Sequence, residues 1–260
     1  MSPGSGAIKL VRMTDSARIV AVSLTFVVAG LIKGVAGMGL PTVAMGLLGS
    51  LMPPANAAGL IVIPSLATNL WQAFSGPGQA VVLRRIWPFL LAIAVATWAS
   101  GGLMIREGAG QDTVWLGIAL LIYAAIGLTK FRLSVPRRFE AWLSPVVGAT
   151  TGVVTGATGV FVVPSVPYLQ ALGFDKDDLV QVLGQSFTIS TIALAAALAS
   201  RGAFRITAAG ASSLCTAPAL VGMAIGQTIR ARVAPAAFRR VFFIGLLILG
   251  AELLGRVFLR

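Results

Sequence analysis

From Ile19 to Leu83 the sequence carries a single charged residue, Lys33. An apolar run of that length constrains the fold more than any motif, because a helix needs only ~20 apolar residues to span the hydrocarbon core of a bilayer. Similar blocks fill the rest of the chain: 17–50, 57–76, 86–105, 113–130, 142–172, 179–200, 206–229 and 238–257. The charged residues, 11% of the total, fall almost entirely between the blocks. The expected fold is all-α: a polytopic transmembrane bundle of about eight helices, forming one transmembrane domain over residues 1–260.

Inside the first block lies AGLIKGVAGMGLP, residues 29–41, with Gly30, Gly34, Gly37, Gly39, Pro41 and Lys33. An interrupted helix is tolerated in hydrocarbon only where its freed backbone groups face protein or a polar cavity. An ionisable side chain at such depth marks a functional site by default. The stretch therefore reads as the floor of a solute site. In the other reading, the glycines only let helices approach closely and Lys33 snorkels to a surface. The apolar run extends well past Lys33 on both sides, which weighs against snorkelling.

The pattern occurs twice. Gly30, Gly34 and Gly37 match Gly152, Gly156 and Gly159 at one constant offset, and each run leads into a proline-containing apolar tail (LPTVAMGLLGSLMPP and VFVVPSVPYLQALGF). The sequence thus predicts two homologous four-helix repeats with broken first helices, about 17–130 and 141–260, joined by a linker over 131–140 within KFRLSVPRRFE. Broken helices at matching places in two halves point to a transporter binding site. Four full crossings per half make the repeats parallel; broken segments that fold back partway make them inverted.

The next block of each half carries polar residues. Ser65, Asn69 and Gln72 share one helix face by spacing, and Gln181, Gln185 and Thr188 repeat that spacing, with Ser186 beside them. Interhelical hydrogen bonds contribute only ~1 kcal/mol or less each, so helix glue is a modest reason for so many, and cavity lining is the favoured reading. Glu252 is a candidate coupling carboxylate; its other reading is an i,i+4 ion pair with Arg256. Asp175 to Asp178 read as a solvated helix cap. Trp87, Trp98, Trp115 and Trp142 lie near block ends, as interfacial anchors do.

The formal net charge is +12. The basic residues sit in short connections and read as topology determinants rather than as a nucleic-acid face. With one crossing per block and the N-terminus inside, thirteen of them, among them Lys9, Arg12, Arg84, Arg85, Lys130 and Arg132, fall on the cytoplasmic side. Six fall opposite: Arg106, Lys176, Arg230, Arg232, Arg239 and Arg240. That balance puts both termini in the cytoplasm, for a multi-pass protein of a bacterial-type inner membrane. The first 16 residues are polar, and the run after them is too long for a signal-peptide core, so it reads as retained.

Much chemistry is missing. There is no histidine, and Cys215 is the only cysteine, so no disulfide framework and no His- or Cys-based metal site is expected. GVAGMGLP lacks the Gly-Lys-Ser/Thr ending of a phosphate loop, and no carboxylates pair within a block. No catalytic residue, metal or cofactor is assigned. What remains is one buried cation, backbone N–H groups freed at glycines, and hydroxyl and amide donors. That set favours a small oxyanion.

GLIKGVAGMGLPTVAMGLL, IVIPSLATNLWQAFSGPG and GATTGVVTGATGVFVVPSVPYLQALGFDKDDLVQVLGQSF together resemble the TauE/SafE sulfite exporter family, also called the toluene sulfonate uptake permease family. The resemblance spans nearly the whole chain. It implies an inner-membrane secondary carrier of two four-helix repeats that moves sulfite, thiosulfate or an organosulfonate such as sulfoacetate, often outward. The candidate substrate-binding set is Lys33, Gly34, Gly37, Gly39, Ser65, Asn69, Gln72, Thr155, Gly156, Gly159, Gln185, Ser186 and Thr188. Thr155 stands where Lys33 stands in the first half, and Phe161 where Gly39 stands, so a shared site would take its charge from the first half only. The partners are a small anion and membrane lipid, with no nucleic acid. A proton or another coupling ion is left open, as is oligomeric state. The competing classes are an anion or small-solute channel and, further off, a membrane-embedded enzyme.

Overall fold

The described residues of the computed structural model are 15–74, 79–105, 111–129, 134–204, 206–230 and 235–258. They hold ten helices and no strand: α1 Asp15–Ala36, α2 Leu40–Gly49, α3 Pro54–Ala73, α4 Gln79–Ser100, α5 Gln111–Leu128, α6 Arg137–Thr158, α7 Ser165–Ala171, α8 Lys176–Ser200, α9 Ile206–Arg230 and α10 Pro235–Phe258. The protein is an all-helical, polytopic bundle. Four segments meet the length and hydropathy of a membrane span by themselves: Ser16–Ala36, Gln79–Ser100, Asp177–Ser200 and Ala209–Arg230. The exterior fits a bilayer. All five tryptophans are more than half exposed, and Ile19, Leu24, Val81, Leu214, Val241 and Ile248 also face outward, an apolar surface far larger than a water-facing monomer exposes.

Both glycine-rich runs break their helices. α1 ends at Ala36 because Gly37 (φ 73°) and Gly39 (φ 100°) enter the left-handed region that side chains disfavour. Gly39 then caps α2, with Pro41 in its first turn. α6 stops in the same way at Gly159, φ 69°. The closing hydrogen bonds correspond: Gly37 N donates to Lys33 O at 2.7 Å, and Gly159 N donates to Thr155 O at 2.7 Å.

The other glycines of each run are packing surfaces. A Cβ on Gly30 would strike the backbone of Ala219 and Met223, and one on Gly34 the backbone of Met223 and Gln227. A Cβ on Gly152 would meet Ile93 O and Thr97 N at 2.8 Å, and one on Gly156 would meet Thr97 O and Gly101 N at 2.8 Å. So α1 lies backbone-to-backbone on α9, and α6 on α4. The two contacts correspond residue for residue. Gly30 and Gly34 precede Gly152 and Gly156 by 122 positions, while Ile93, Thr97 and Gly101 precede Ala219, Met223 and Gln227 by 126.

These pairings fix helix direction. Residue numbers rise together along α1 and α9. Near the start of α9, Ser212 Oγ donates to Leu60 O at 2.8 Å and accepts from Ile63 N at 3.0 Å, in the first half of α3. Near the end of α3, Asn69 meets Lys33. Hence α1, α3 and α9 run the same way. Two consecutive long helices with one direction require the segment between them to return the chain, and α2 does so. It climbs beside α10, where Gly39 faces Phe242, Gly46 faces Leu249, and Ser50 O accepts from Arg256 at 2.6 Å. The second half repeats this. α4, α6 and α8 share a direction, with Gly101 against Ala197 at their far ends. The stretch from Gly159 through α7 comes back, so that Ala171 O accepts from Val135 N at 2.9 Å beside the start of α6.

Of the two arrangements left open by the sequence, the helix directions match the one in which the broken segments fold back. Blocks 17–50 and 142–172 do not each cross once; each goes out as a long helix and returns as a short one. The side assignment built on one crossing per block falls with that premise. Asp15 and Phe258 lie on one face of the bundle, the face where Arg256 meets Ser50. Among described residues that face holds Arg18, Arg201 and Arg256 near helix ends, while Arg84, Arg85, Arg137, Arg138, Lys176, Arg230, Arg239 and Arg240 lie towards the other. Lys9, Arg12, Arg106, Lys130, Arg132, Arg205, Arg232, Arg260 and the polar start of the chain lie outside the described residues.

Candidate functional site

Lys33 sits one turn before the break in α1 and is 3% exposed. It does not snorkel. Its Nζ donates to Oδ1 of Asn69, which is itself fully buried on α3. One turn on, Gln72 Nε2 donates to Gly37 O at 2.8 Å, a carbonyl freed by the end of the helix. The α1 break and the last two turns of α3 therefore form one polar cluster of Lys33, Gly37, Asn69 and Gln72.

The cluster is under-satisfied. Asn69 Nδ2 and Gln72 Oε1 are buried without a partner, as is Ser65 Oγ one turn back along the same face of α3. Thr42 Oγ1, in the first turn of α2, is also buried and unpaired. An unmade buried hydrogen bond costs ~1–3 kcal/mol, so the unpaired Asn69 and Gln72 atoms beside the α1 break, with Ser65 one turn back on α3, are a standing demand for a polar ligand or water. Lys33 has no ion-pair partner among the described residues. In chemical terms the arrangement offers one amine and amide and hydroxyl donors, with no carboxylate among them, which suits an oxyanion.

The remaining candidates divide. Gly37 is the open one: a Cβ there would meet nothing within 4 Å. Gly39 is held against Phe242, and Gly34 and Gly156 are filled by helix contacts. Gly159 is closed over by the Met45 side chain. Thr155, fully buried, donates to Val160 O at 3.3 Å. Ser186 and Thr188 donate back to Val182 O and Gly184 O, both at 2.8 Å, within α8. Gln185 faces a groove of about 390 Å³ between α3, α4 and α8, with Leu70, Leu83 and Leu90. These hydrogen bonds of Thr155, Ser186 and Thr188 stay within their own segments, and Gln181 Nε2 donates across to Ala73 O at 3.2 Å.

Glu252 is paired with Arg256, whose other nitrogen holds Ser50 O. That pair fastens α10 to the end of α2. Thr42 has no place in the sequence's repeated polar pattern. The available signal was a hydroxyl directly after Pro41, where a returning helix begins.

No curated protein and no solved structure matches the chain. The sequence model of one family, described as sulfite exporter TauE/SafE, matches residues 22–253. That span includes both helix breaks, the Lys33–Asn69 pair and every candidate residue named above. With its lipid-facing exterior and all-helical bundle, the chain belongs to the sulfite exporter TauE/SafE family of membrane transporters.

Proposed function

We propose that the protein is a secondary carrier for small sulfur oxyanions, namely sulfite, thiosulfate or an organosulfonate such as sulfoacetate, and that Lys33 is the charge complement of the bound anion. The observation that carries this reading is a lysine with 3% exposure, held by an amide and facing no carboxylate. The anion neutralises Lys33 and takes hydrogen bonds from Asn69 Nδ2 and, one turn back on the same face of α3, from Ser65. Gly37 leaves room for it beside open backbone. The corresponding contacts of α1 on α9 and α6 on α4 support two inverted repeats. Such repeats can exchange roles as the site opens first to one side and then to the other.

The membrane is a bacterial-type inner membrane, and outward movement is the direction that the family's description names. Orientation follows from the corrected helix directions. Eight described basic residues against three favour a cytoplasmic location for the face opposite the termini. Both termini then lie outside, the reverse of what one crossing per block implies.

The test is flux of labelled sulfite, thiosulfate and sulfoacetate into proteoliposomes. Lys33→Met preserves bulk and removes the charge, so it should insert and fold yet lose at least tenfold in flux. Near-normal flux and affinity in that variant, at matched protein levels, would refute the role of Lys33.

A further inference from the structure

We infer that Lys33 is also the site of the coupling proton. Its amine takes one proton from water as the anion binds and returns it as the anion leaves, so a monovalent anion crosses together with one proton and without net charge. This rests on the anion-site reading above.

The argument starts from what surrounds the amine. A buried ion is costly unless paired, and an unpaired one sheds its charge instead. Lys33 is 3% exposed and its partner, Asn69 Oδ1, is a neutral amide oxygen that accepts a hydrogen bond but supplies no counter-charge. The elements packed on α1 bring no counter-charge. α2 and α3 carry no titratable residue. On α9 there are Cys215, more than a turn short of the residues that touch Gly34, and Arg230, exposed at the helix end. On α10, Glu252 is taken by Arg256 at the far end, and Arg239 and Arg240 lie near its start. Tyr123 of α5 turns its hydroxyl to Met38 Sδ at 3.5 Å. Asp177 and Asp178 open α8 beyond Ala73. Asp15 and Arg18 are at the opposite end of α1.

With the site empty, no counter-charge among the described residues faces the amine. With an anion in place, the ammonium and the anion neutralise each other. The step balances as amine plus proton plus anion giving an ammonium–anion pair, and it reverses on the other side. Glu252, the other candidate for carrying a proton, is bound up in fastening α10 to α2.

The experiment uses the full chain in sealed liposomes with an internal pH dye and a parallel recording of charge movement. The probe is methanesulfonate, a monoanion that does not titrate near neutrality; labelled sulfite and thiosulfate serve as flux controls. The expected result is one proton taken up per methanesulfonate, with no net current. Lys33→Arg, which cannot release its proton, should bind anion and support anion–anion counterflow but lose net uptake and proton movement. Methanesulfonate entry with a current and no internal acidification, or wild-type proton coupling in Lys33→Arg, overturns the proton assignment and leaves the anion site intact. Absence of binding and flux for all three anions in the wild type overturns the anion site and the proton assignment with it.

Discussion

Gln72 donates from Nε2 to the carbonyl oxygen of Gly37 at 2.8 Å. The last turn of α3 thereby closes over the backbone released where α1 stops. This bond makes the break a fixed feature, and it places Asn69, one turn earlier, at the Lys33 amine.

Gln72→Leu should leave the half-buried Gly37 carbonyl without its amide partner. The expected loss is about 0.5–1.5 kcal/mol of stability, read as earlier thermal unfolding in detergent, together with weaker anion binding. An unchanged unfolding midpoint would mean that water replaces the amide and that the bond does not hold the break.

Gly30→Val and Gly152→Val should each push a helix pair apart, α1 from α9 and α6 from α4. Overpacking costs about 1–3 kcal/mol, and the two losses should be similar because the contacts correspond. Unfolding of each variant measures this. A large effect from one and none from the other would count against equivalent halves.

Lys33→Met should abolish transport and cost the substrate-free protein about 1–3 kcal/mol of stability, because it leaves the fully buried Asn69 Oδ1 without a donor. Thermal unfolding in detergent, beside the flux assay, measures this. Unchanged substrate-free stability would show that the bond to Asn69 does not hold α1 and α3 together.

Glu252→Gln should leave flux and its pH dependence unchanged, because Glu252 serves Arg256 and, through it, the end of α2. Loss of proton-dependent uptake with normal expression would return Glu252 to the coupling pathway.

A reporter fused at residue 260 tests orientation. Alkaline phosphatase should be active there and a cytoplasmic fluorescent reporter dark. The opposite pattern would restore both termini to the cytoplasm.

The sequence by itself determined the solvent, the helical class and the exceptional residue. Hydrocarbon imposes local rules: long apolar runs must be helices, glycines clustered within one signal a break, and a lone lysine inside one must be accounted for. Gly37, Gly39 and Gly159 follow from such rules, and so does Lys33. Only the tertiary structure decided where each chain segment goes after its break. Gly30 and Gly34 have the same spacing whether they face a ligand or a helix, and only the presence of Ala219 and Met223 against them separates the two. Likewise Asn69 and Gln185 look alike on a polar stripe, yet one meets Lys33 and the other faces a groove. The return of α2 and α7 has no local signature, because a short apolar helix satisfies its backbone equally well in either direction. Direction is set by contacts between residues far apart in sequence, such as Ser50 with Arg256, and those contacts in turn decide which side each arginine occupies.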